Sequence, residues 1–562
     1  MKKYLALFLV LVMVFAMCAC GGGGGSQTPA QPSGGGSSTP AQPSGGGSGG
    51  GSQPSGGGGG ETPEQPVGKA PDTLIYGTSG GTGRFLAGIS PSETFTGCDA
   101  IFDCIFRTDP KTKEIFSYIL EDWGWKDDTT FTMKLKDNIY FNNGDHATGE
   151  DLLFSYENHP ERGSNYLNSF GLLLDQCKVL DDGYTVEMKF QAPYAEFVNT
   201  VIYLVDKSWS REVGWDSMEW YDNPVGSGPY RVKEYAKDDH ITFEARDDYW
   251  YKDEGPVVVK NFIIKNYADN STMVMDFEIG NIDFCEPGTT AYERYLKEGS
   301  DIYRCAQVSG GTVCYFNYGL LTNPILRENQ KLREAIAVGV DWYQLGELTN
   351  GVLQVNATSM VPASSPEYIN PGEVKYDPEL AKQLLAEAGY QPGELTLHTY
   401  MMEAPMYHNY SEGFQFYMQQ MGINCDLEFG DVSSSIAKWV DINSGIDFGF
   451  FFYVPGSPTG NLRAGMWNAG DPNGVKWGYI DDDDFQKIFA EHVHATDPQV
   501  AIEKSKECQQ MIYDRCLAVP IAETAGVLGY KVGVLTAEQC QNYYSGSGNW
   551  QISRLGLAAA WE

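Results

Sequence analysis

The segment 21–68 restricts what this chain can fold into more than any other part of its sequence. It consists mostly of Gly, Ser, Pro, Gln and Thr, with near-repeats of Gln-Pro-Ser-Gly at 31–34 and 42–45. Because it has almost no apolar side chains to bury, it cannot offset the entropy lost on folding, and we expect a disordered linker. A Gly-rich coil of this length reaches about 40 Å. The folded protein must therefore be built from the residues that follow.

The residues before this linker have the three-part order of an export signal. Lys2 and Lys3 precede an apolar stretch at 4–17, which ends in the short junction Met17-Cys18-Ala19-Cys20-Gly21. Crossing a bilayer takes about 20 apolar residues, so this stretch is too short to be a good anchor by itself. The pattern predicts that residues 1–19 form a signal peptide.

The junction resembles the lipobox of bacterial lipoproteins, in which the signal is cut before a cysteine that becomes lipidated. Ala19 suits the residue before the cut, and the resemblance implies lipidation of Cys20. Several acyl chains would hold the protein firmly, at about 0.8 kcal/mol per buried methylene. We therefore expect 20–68 to be a lipidated cysteine with its disordered linker, and the protein to be anchored on the extracytoplasmic face of the cell membrane. An ordinary cleaved secretory signal is the alternative.

The composition after the linker is that of an acidic globular protein. Roughly 490 residues follow the linker, which is enough for two or three domains with ordinary cores. The whole chain is 42% hydrophobic and 13% aromatic, and its formal net charge is −35. Such acidity argues against nucleic acid and anionic lipid as partners, and it suits solubility at a cell surface.

The cysteines and histidines give no metal or redox motif. No pair of cysteines has the CxxC spacing, and the seven histidines match neither HExxH nor a Cys-His zinc pattern. Most cysteines interrupt apolar strand or helix patterns, so we expect reduced core residues, no metal and no cofactor. The ten after Cys20 are Cys98, Cys104, Cys177, Cys285, Cys305, Cys314, Cys425, Cys508, Cys516 and Cys540.

Strands and helices alternate along the folded region. Apolar and polar residues alternate with period two at 131–136, 184–188, 241–245 and 423–429, which predicts strands. Capping patterns and a period near 3.6 predict helices between and after them. The first predicted helix starts at Thr148 with Asp151 and runs through Glu157, and another extends from Asp377-Pro378 to Gly389. The stretch 332–345 is predicted to form a helix with one shared face, and a further helix is predicted at 485–489, after the cap Asp481-Asp482-Asp483-Asp484. The mixture indicates an α/β protein.

Five segments of the folded region carry a recognisable pattern. They are NIYFNNGDHATGEDLLFSY at 138–156, NPVGSGPY at 223–230 with RDDYW at 246–250, MDFEIGNID at 275–283, Asn317 through Lys331-Leu332-Arg333 to Asp341, and YDPELAKQLLAEAG at 376–389. Their glycines, prolines and Arg333 look structural, because Gly226-Ser227-Gly228-Pro229 is a turn pattern and Arg333 and Asp341 suit capping or pairing around a helix. In this order the five segments resemble the extracytoplasmic solute-binding proteins of ABC importers, family 5, the oligopeptide, dipeptide and nickel type.

The resemblance implies a two-lobe α/β fold of the periplasmic-binding-protein type II, with an extra inserted subdomain and a hinge between the lobes. Such lobes close over a ligand by a hinge motion. Carried over to this chain, lobe I comprises 69–100, 222–312 and 525–562. The inserted subdomain comprises 101–221, and lobe II comprises 313–524.

The resemblance also implies where a ligand would be bound. A loop at 88–91, the strand that crosses between the lobes, and the aromatic segment 447–458 match the family's ligand-facing regions. The run Phe450-Phe451-Phe452 can alternatively be read as a buried strand, with Phe450 and Phe452 in the core. The expected ligand-binding residues are Ile89, Ser90, Tyr315, Asn317, Phe451, Tyr453, Trp467, Trp477 and Tyr479.

One departure from the family concerns the ligand. Peptide binders place an Asp a few residues after the position of Tyr453, where it pairs with the α-ammonium of the peptide, but residues 454–458 contain no carboxylate. A buried ammonium without a counter-charge is costly. We therefore expect free peptides to bind no better than N-acetylated ones, unless Asp447 or Asp471 reaches the site.

The sequence thus predicts a receptor without catalytic residues. We expect a monomer that binds a peptide or peptide-like solute and delivers it to an ABC permease. An oligosaccharide is the alternative ligand, because aromatic side chains stack on sugar faces. A surface glycan or peptide hydrolase is the alternative of another class, although neither a nucleophile elbow nor an acid pair is recognisable. A receptor for signalling or adhesion with the same fold remains a third reading.

Overall fold

The protein folds into two α/β lobes that share a nine-stranded sheet. A four-stranded antiparallel sheet in the order β4-β5-β7-β6 and two smaller strand pairs, β2-β3 and β14-β15, complete the β-structure of the described residues. The computed structural model describes residues 70–79, 96–109, 112, 114–161, 171–194, 197–198, 201–214, 217–236, 239–350, 355–363, 365–453, 478–543 and 551–561.

In chain order the strands are β1 (Thr73–Thr78), β2 (Arg107–Thr108), β3 (Ile115–Phe116), β4 (Leu120–Asp127), β5 (Thr130–Leu135), β6 (Lys178–Val179), β7 (Thr185–Lys189), β8 (Tyr230–Ala236), β9 (His240–Ala245), β10 (Asn261–Asn266), β11 (Phe284–Cys285), β12 (Tyr303–Tyr318), β13 (Val355–Asn356), β14 (Thr396–Met402), β15 (Asn424–Gly430), β16 (Phe448–Tyr453) and β17 (Ala518–Lys531). The strands predicted at 131–136, 184–188, 241–245 and 423–429 are confirmed as β5, β7, β9 and β15.

The α-helices are α1 (Thr96–Ile101), α2 (Gly149–Glu161), α3 (Lys207–Val213), α4 (Met218–Asp222), α5 (Asn270–Glu278), α6 (Thr289–Ala291), α7 (Pro324–Glu328), α8 (Gln330–Val338), α9 (Trp342–Asn350), α10 (Pro378–Glu387), α11 (Pro405–Met421), α12 (Val432–Trp439), α13 (Asp483–Val493), α14 (Pro498–Asp514), α15 (Ala537–Tyr543) and α16 (Ile552–Leu555). A π-helical turn at Tyr292–Leu296 follows α6, and 3₁₀ turns occur at Leu174–Gln176 and Ala558–Ala560. Within the described residues, each helix is too short or too polar to cross a membrane.

The predicted helix caps are present. The Thr148 amide donates to the Asp151 carboxylate at the start of α2, at 2.8 Å. Asp377 caps α10, because its Oδ1 accepts from the amide of Leu380. Asp482 caps α13 in the same way through the amide of Phe485, so the helix begins two residues before the predicted position. Side-chain caps of this kind satisfy amide groups that lack a partner inside the helix.

The prediction of a single helix with one shared face over 332–345 is wrong. The chain instead forms α8 and α9, with a break at 339–341. Asp341 starts the second helix by accepting a hydrogen bond from the amide of Gln344. Tyr343, which was expected on the shared face, is 46% exposed. The apolar spacing continued across the break, but the cap at Asp341 starts a new helix.

Two long strands connect the lobes. The first half of β12 pairs with the last part of β17 from Tyr303↔Lys531 to Ser309↔Ala525, in residues that the resemblance assigns to lobe I. Pairing is irregular between Ser309 and Val313. It then continues from Val313↔Glu523 to Asn317↔Ala518, with a second register shift between Cys314 and Tyr315, in residues that the resemblance assigns to lobe II. In lobe II, β16 adds to β12 and β13 adds to β17. An interrupted ladder between two rigid halves is a natural place for hinge bending.

The glycine-rich turn is structural, as the sequence indicated. A Cβ on Gly226 would lie 2.2 Å from the carbonyl oxygen of Ile101, at the end of α1. The Gly228 amide donates to the same oxygen at 2.7 Å. The buried guanidinium of Arg246 donates to the carbonyls of Gly226 and Gly228. These hydrogen bonds fix the turn against the segment 246–250, so the glycines of the turn have a structural role.

Arg333 also acts by capping. Its guanidinium is buried and donates to the carbonyl oxygens of Leu326 and Arg327, at the end of α7. It also donates to the carbonyl oxygens of Arg515 and Cys516, directly after α14. A positive side chain favours the negative end of a helix dipole, so one arginine stabilises two helix ends.

Candidate functional site

The carboxyl ends of the parallel strands in lobe I point toward lobe II. Strands β1, β10 and β11 are parallel, and β17 is antiparallel to β11. Because β12 is also antiparallel to β17, it runs in the same direction as β11 before it continues into lobe II. Open α/β sheets bind ligands outside the carboxyl ends of their strands. This edge of lobe I is therefore one wall of the candidate site.

Four of the expected ligand-binding residues, Ile89, Ser90, Trp467 and Trp477, lie outside the described residues. For Tyr453 the structure describes the backbone, which pairs with Val313 at the end of β16. This pairing lies next to the irregular region between the lobes. The roles of these five residues stay predictions.

Tyr315, Asn317 and Phe451 lie together on one face of the lobe II sheet. Tyr315 is opposite Phe451 in the β12–β16 ladder, and their rings stack at a centroid distance of 5.9 Å. Asn317 lies two residues further along the same strand, and its Nδ2 donates to the carbonyl of Gly478 at 2.9 Å. The ring of Trp439 also packs against Phe451, at a centroid distance of 5.8 Å.

These three side chains are almost fully buried, with exposures of 1–2%. Burial raises the pKa of the Tyr315 hydroxyl well above its usual value. Tyr479 is half-buried next to Gly478, and burial also raises the pKa of its hydroxyl. In this structure Tyr315, Asn317 and Phe451 are buried inside lobe II, and Tyr479 is the least buried member of the described set. Their contact with a ligand remains a prediction.

The opposite face of β16 belongs to the lobe II core. Phe450 is fully buried and packs against Phe316, Tyr410 and Phe414 at centroid distances of 5.6, 5.1 and 6.1 Å. The reading of Phe450 as a core residue is confirmed. Nothing in the described contacts concerns the side chain of Phe452.

Asp447 is engaged in the packing of lobe II. Its Oδ2 accepts from the amide of His398 at 2.8 Å, and its Oδ1 accepts from the Asn323 side chain at 2.7 Å. Burial raises the pKa of this carboxyl group, although both hydrogen bonds lower it. These contacts tie β14 to the start of β16. Asp471, the other acid considered, lies outside the described residues.

One carboxylate at the site edge escaped the sequence analysis. Glu286 follows β11 directly and is half-buried. Its Oε1 accepts a hydrogen bond from the Tyr76 hydroxyl of β1 at 3.0 Å. The available signal was an acid directly after a short apolar strand, three residues beyond the segment 275–283 that resembles the family. Only the pairing of β1 with β11 reveals that it lies at the carboxyl edge.

Neither a metal site nor a disulfide appears within the described part of the chain. Eight of the ten described cysteines are buried, and Cys177 and Cys305 are half-buried. Burial raises the pKa of the Cys305 thiol to about 12. Such thiols are poor nucleophiles at neutral pH and fit the core positions that the sequence predicts for them.

Two α/β lobes, joined by crossing strands and facing one another across the carboxyl edge of a sheet, define a two-lobe solute-binding protein. The chain belongs to the bacterial extracellular solute-binding proteins, family 5, whose middle-region model matches residues 115–477. The expected family and fold class are confirmed. Proteins of this family are receptors and not enzymes, so the assignment as a non-enzyme is also confirmed.

Curated relatives and solved structures agree with this assignment. The chain is 24% identical over 353 residues to the di/tripeptide-binding protein 1 of Pseudomonas aeruginosa and 24% identical over 350 residues to the dipeptide-binding protein of Escherichia coli. Each match covers 57% of this chain and 64% of the relative, which is less than two thirds of the relative's length.

Two solved structures have the same fold. The putative peptide binding protein AppA from Clostridium difficile superposes with a TM-score of 0.69 at 18% identity, over 85% of this chain and 99% of that one. The periplasmic binding protein DppA from Helicobacter pylori, in complex with the peptide STSA, gives a TM-score of 0.64 at 17% identity, over 86% and 96% of the two chains.

Proposed function

We propose that this chain is the extracytoplasmic receptor of an ABC importer for peptides or peptide-like solutes. It binds the solute between its two lobes and delivers it to a permease in the membrane. Cys20 carries the lipid anchor, and the linker lets the folded part reach the permease. The ligand-binding set is that expected from the sequence, and the buried residues Tyr315, Asn317 and Phe451 support the wall of the site from inside.

The proposal rests on the family match over residues 115–477. It is supported by the curated relatives, which are described as dipeptide- or di/tripeptide-binding proteins. The crossing strands supply a hinge, and a hinge lets two lobes enclose a small solute. A site that encloses its ligand can use many apolar contacts and a few polar ones for recognition.

Native mass spectrometry of the detergent-solubilised full-length protein tests the proposed ligand class. We expect a co-purified mass that fragments into amino acids. Titration calorimetry with a neutral peptide library should then give saturable binding. A co-purified mass that fragments into hexoses, together with no peptide binding, would replace the peptide by an oligosaccharide.

A further inference from the structure

Exposed apolar side chains lie next to one another around the carboxyl end of α5 in lobe I. Ile279 follows Met275 by one helical turn, and its amide donates to the Met275 carbonyl oxygen, so both side chains lie on the same side of the helix. Ile302 reaches this helix end, because a Cβ on Gly280 would lie 3.1 Å from its Cγ2. The amide of Val532 donates to the carbonyl oxygen of Ile302 at 2.9 Å.

Tyr295 of the π-helical turn belongs to the same surface. Partial burial and the nearby carboxylate of Glu278, the last residue of α5, raise the pKa of the Tyr295 hydroxyl. A contiguous apolar surface of several large side chains marks a site of contact with another molecule. The amino-edge patch, as we call it, consists of residues that are 38–65% exposed: Met275, Ile279, Tyr295, Ile302 and Val532.

The amino-edge patch lies at the edge of lobe I where the chain enters from the linker. β1 begins at Thr73, which pairs with Asn261 at the start of the parallel strand β10. α5 follows β10 and packs on this sheet, so its carboxyl end returns to the same edge. β12 runs parallel to β1 and begins directly after Ile302. The carboxyl edge, with the candidate ligand site, is on the opposite side of the sheet.

The linker cannot supply an apolar cover for the amino-edge patch. Apart from prolines and Cys20, its apolar side chains in 20–69 are those of Ala30, Ala41 and Val67. Burial stabilises a contact in proportion to the apolar area removed from water, and these three side chains offer little such area. The occupant of the patch must therefore come from outside this segment.

A lipid surface fits the amino-edge patch better than a second protein does. A stable protein interface uses roughly 20–30 residues a side, far more than the patch provides. A membrane contact needs only a few inserted apolar side chains, and its strength grows with their buried area. The tether already keeps lobe I within about 40 Å of the bilayer, so the contact does not have to offset the loss of free diffusion.

We propose that the amino-edge patch rests on the lipid surface into which the acyl chains on Cys20 are inserted. The apolar side chains enter the headgroup layer, and the carboxyl edge of lobe I faces away from the membrane. The contact is apolar, because a net charge of −35 disfavours attraction to anionic lipid. This inference rests on the lipid anchor of the proposed function. It gives the receptor a resting orientation in which the candidate ligand site faces the outside medium.

Quenching of a small polar fluorophore by brominated lipid tests this contact. The lipidated full-length protein is reconstituted into vesicles of neutral phosphatidylcholine, part of which has brominated acyl chains. The fluorophore is attached through Ile279→Cys or, as the matched control, through Leu348→Cys in α9 of lobe II; the two native residues are 65% and 68% exposed. Protein without an introduced cysteine corrects for labelling of native thiols. We expect at least about 2-fold stronger quenching at position 279, because inserted side chains reach about 5–10 Å into the headgroup and acyl boundary.

Removal of neighbouring apolar side chains should abolish this difference. Met275→Ser combined with Ile302→Ser leaves the label of Ile279→Cys in place, and we expect its quenching to fall to the level of the control label. Both residues are exposed, so the fold should be retained, and a thermal melt checks this. Ile325→Ser combined with Val500→Ser removes two exposed apolar residues of lobe II instead. We expect that matched pair to leave the quenching unchanged.

Equal quenching at the two label positions would overturn the inference, and so would quenching at position 279 that survives Met275→Ser with Ile302→Ser. A dimer in the native mass spectrum that the same two substitutions dissociate would assign the amino-edge patch to a second copy of the chain, and would overturn the lipid contact. Wild-type protein that does not float with the vesicles contradicts the lipid anchor of the proposed function, and the contact fails with it.

Discussion

Neighbouring aromatic residues of β16 have different surroundings. Phe450 packs on α11 through Tyr410 and Phe414, whereas Phe451 lies on the other face with Tyr315 and Trp439. Side chains alternate between the two faces of a strand, so one position along the chain changes the whole environment. Both faces are covered here, which is why the run of phenylalanines lacks the alternation of a half-exposed strand.

Phe450→Ala should lower the free energy of unfolding by about 3–5 kcal/mol, because it leaves a cavity in a closely packed core. Urea denaturation of the wild type and the variant measures the loss. A change below about 1 kcal/mol would contradict the placement of Phe450 in a tightly packed core.

In contrast to Phe450→Ala, Tyr453→Ala should reduce ligand binding and leave stability nearly unchanged if Tyr453 faces the ligand. We expect ligand binding to weaken by about 1–3 kcal/mol, the range for the loss of one aromatic contact, with little change in the urea midpoint. Calorimetry with the best peptide of the library experiment measures the affinity. An unchanged affinity with a lower midpoint would instead assign Tyr453 to the core.

At the scale of elements, α13 and α14 pack around a buried histidine. His492 is near the end of α13, and its Nδ1 lies 2.8 Å from the carbonyl oxygen of Ala501 in α14. Burial lowers the pKa of His492 below its usual value, since the charged ring would lose its hydration. The folded state therefore favours the neutral ring, whose Nδ1 contact with Ala501 joins the two helices.

This pKa shift predicts a dependence of stability on pH. The unfolded chain takes up a proton near pH 6.5, whereas the folded chain takes it up only at a lower pH. The contribution of His492 is thus present above about pH 6.5 and is lost as the pH falls below it. His492→Asn should be less stable at pH 7.5 but should lose less stability between pH 7 and 5. Urea midpoints across this range measure both; parallel curves would exclude a role for His492.

At the scale of the whole molecule, lobe II contacts the region of the four-stranded sheet. His494 follows α13, and its Nδ1 lies 2.7 Å from the carbonyl oxygen of Pro193, four residues after β7. The two residues are 301 positions apart in the chain, so the contact depends on how the lobes are arranged. A contact of this kind favours the arrangement in which it forms.

His494→Ala should shift the population toward arrangements with the lobes apart, by about 0.5–1.5 kcal/mol. Small-angle scattering should then give a larger radius of gyration for the unliganded protein, and peptide affinity should fall. His146→Ala is the control, because its Nε2 contacts the carbonyl oxygen of Asp137 within one region of the fold. Equal effects of both variants would contradict a specific role of His494.

The anchor also acts on the whole molecule. Cys20→Ser should release the protein from the membrane, because the resemblance to the lipobox assigns the acyl chains to that thiol. Fractionation of cells that express the wild type or the variant measures the distribution. Retention of the variant in the membrane fraction would point to Cys18 or to an uncleaved signal.

The sequence by itself determined the local structure and the family. Period-two alternation specified β5, β7, β9 and β15, and polar residues at helix starts specified the caps at Asp151, Asp377 and Asp482. These signals lie within a few residues of one another, so no distant contact is needed to read them. The five ordered segments identified the family, and Arg246 and Arg333 within them hold a turn and a helix end in place.

Only the tertiary structure decided which of the described candidate residues are buried and which carboxylate lies at the sheet edge. Tyr315 and Phe451 are buried because residues more than a hundred positions apart pair in the β12–β16 ladder, and Trp439 packs against Phe451. Glu286 meets Tyr76 because β1 and β11 are neighbours, although 210 positions separate the two residues. Burial and charge pairing depend on such long-range contacts, and periodicity along the chain carries no information about what covers the second face of a strand.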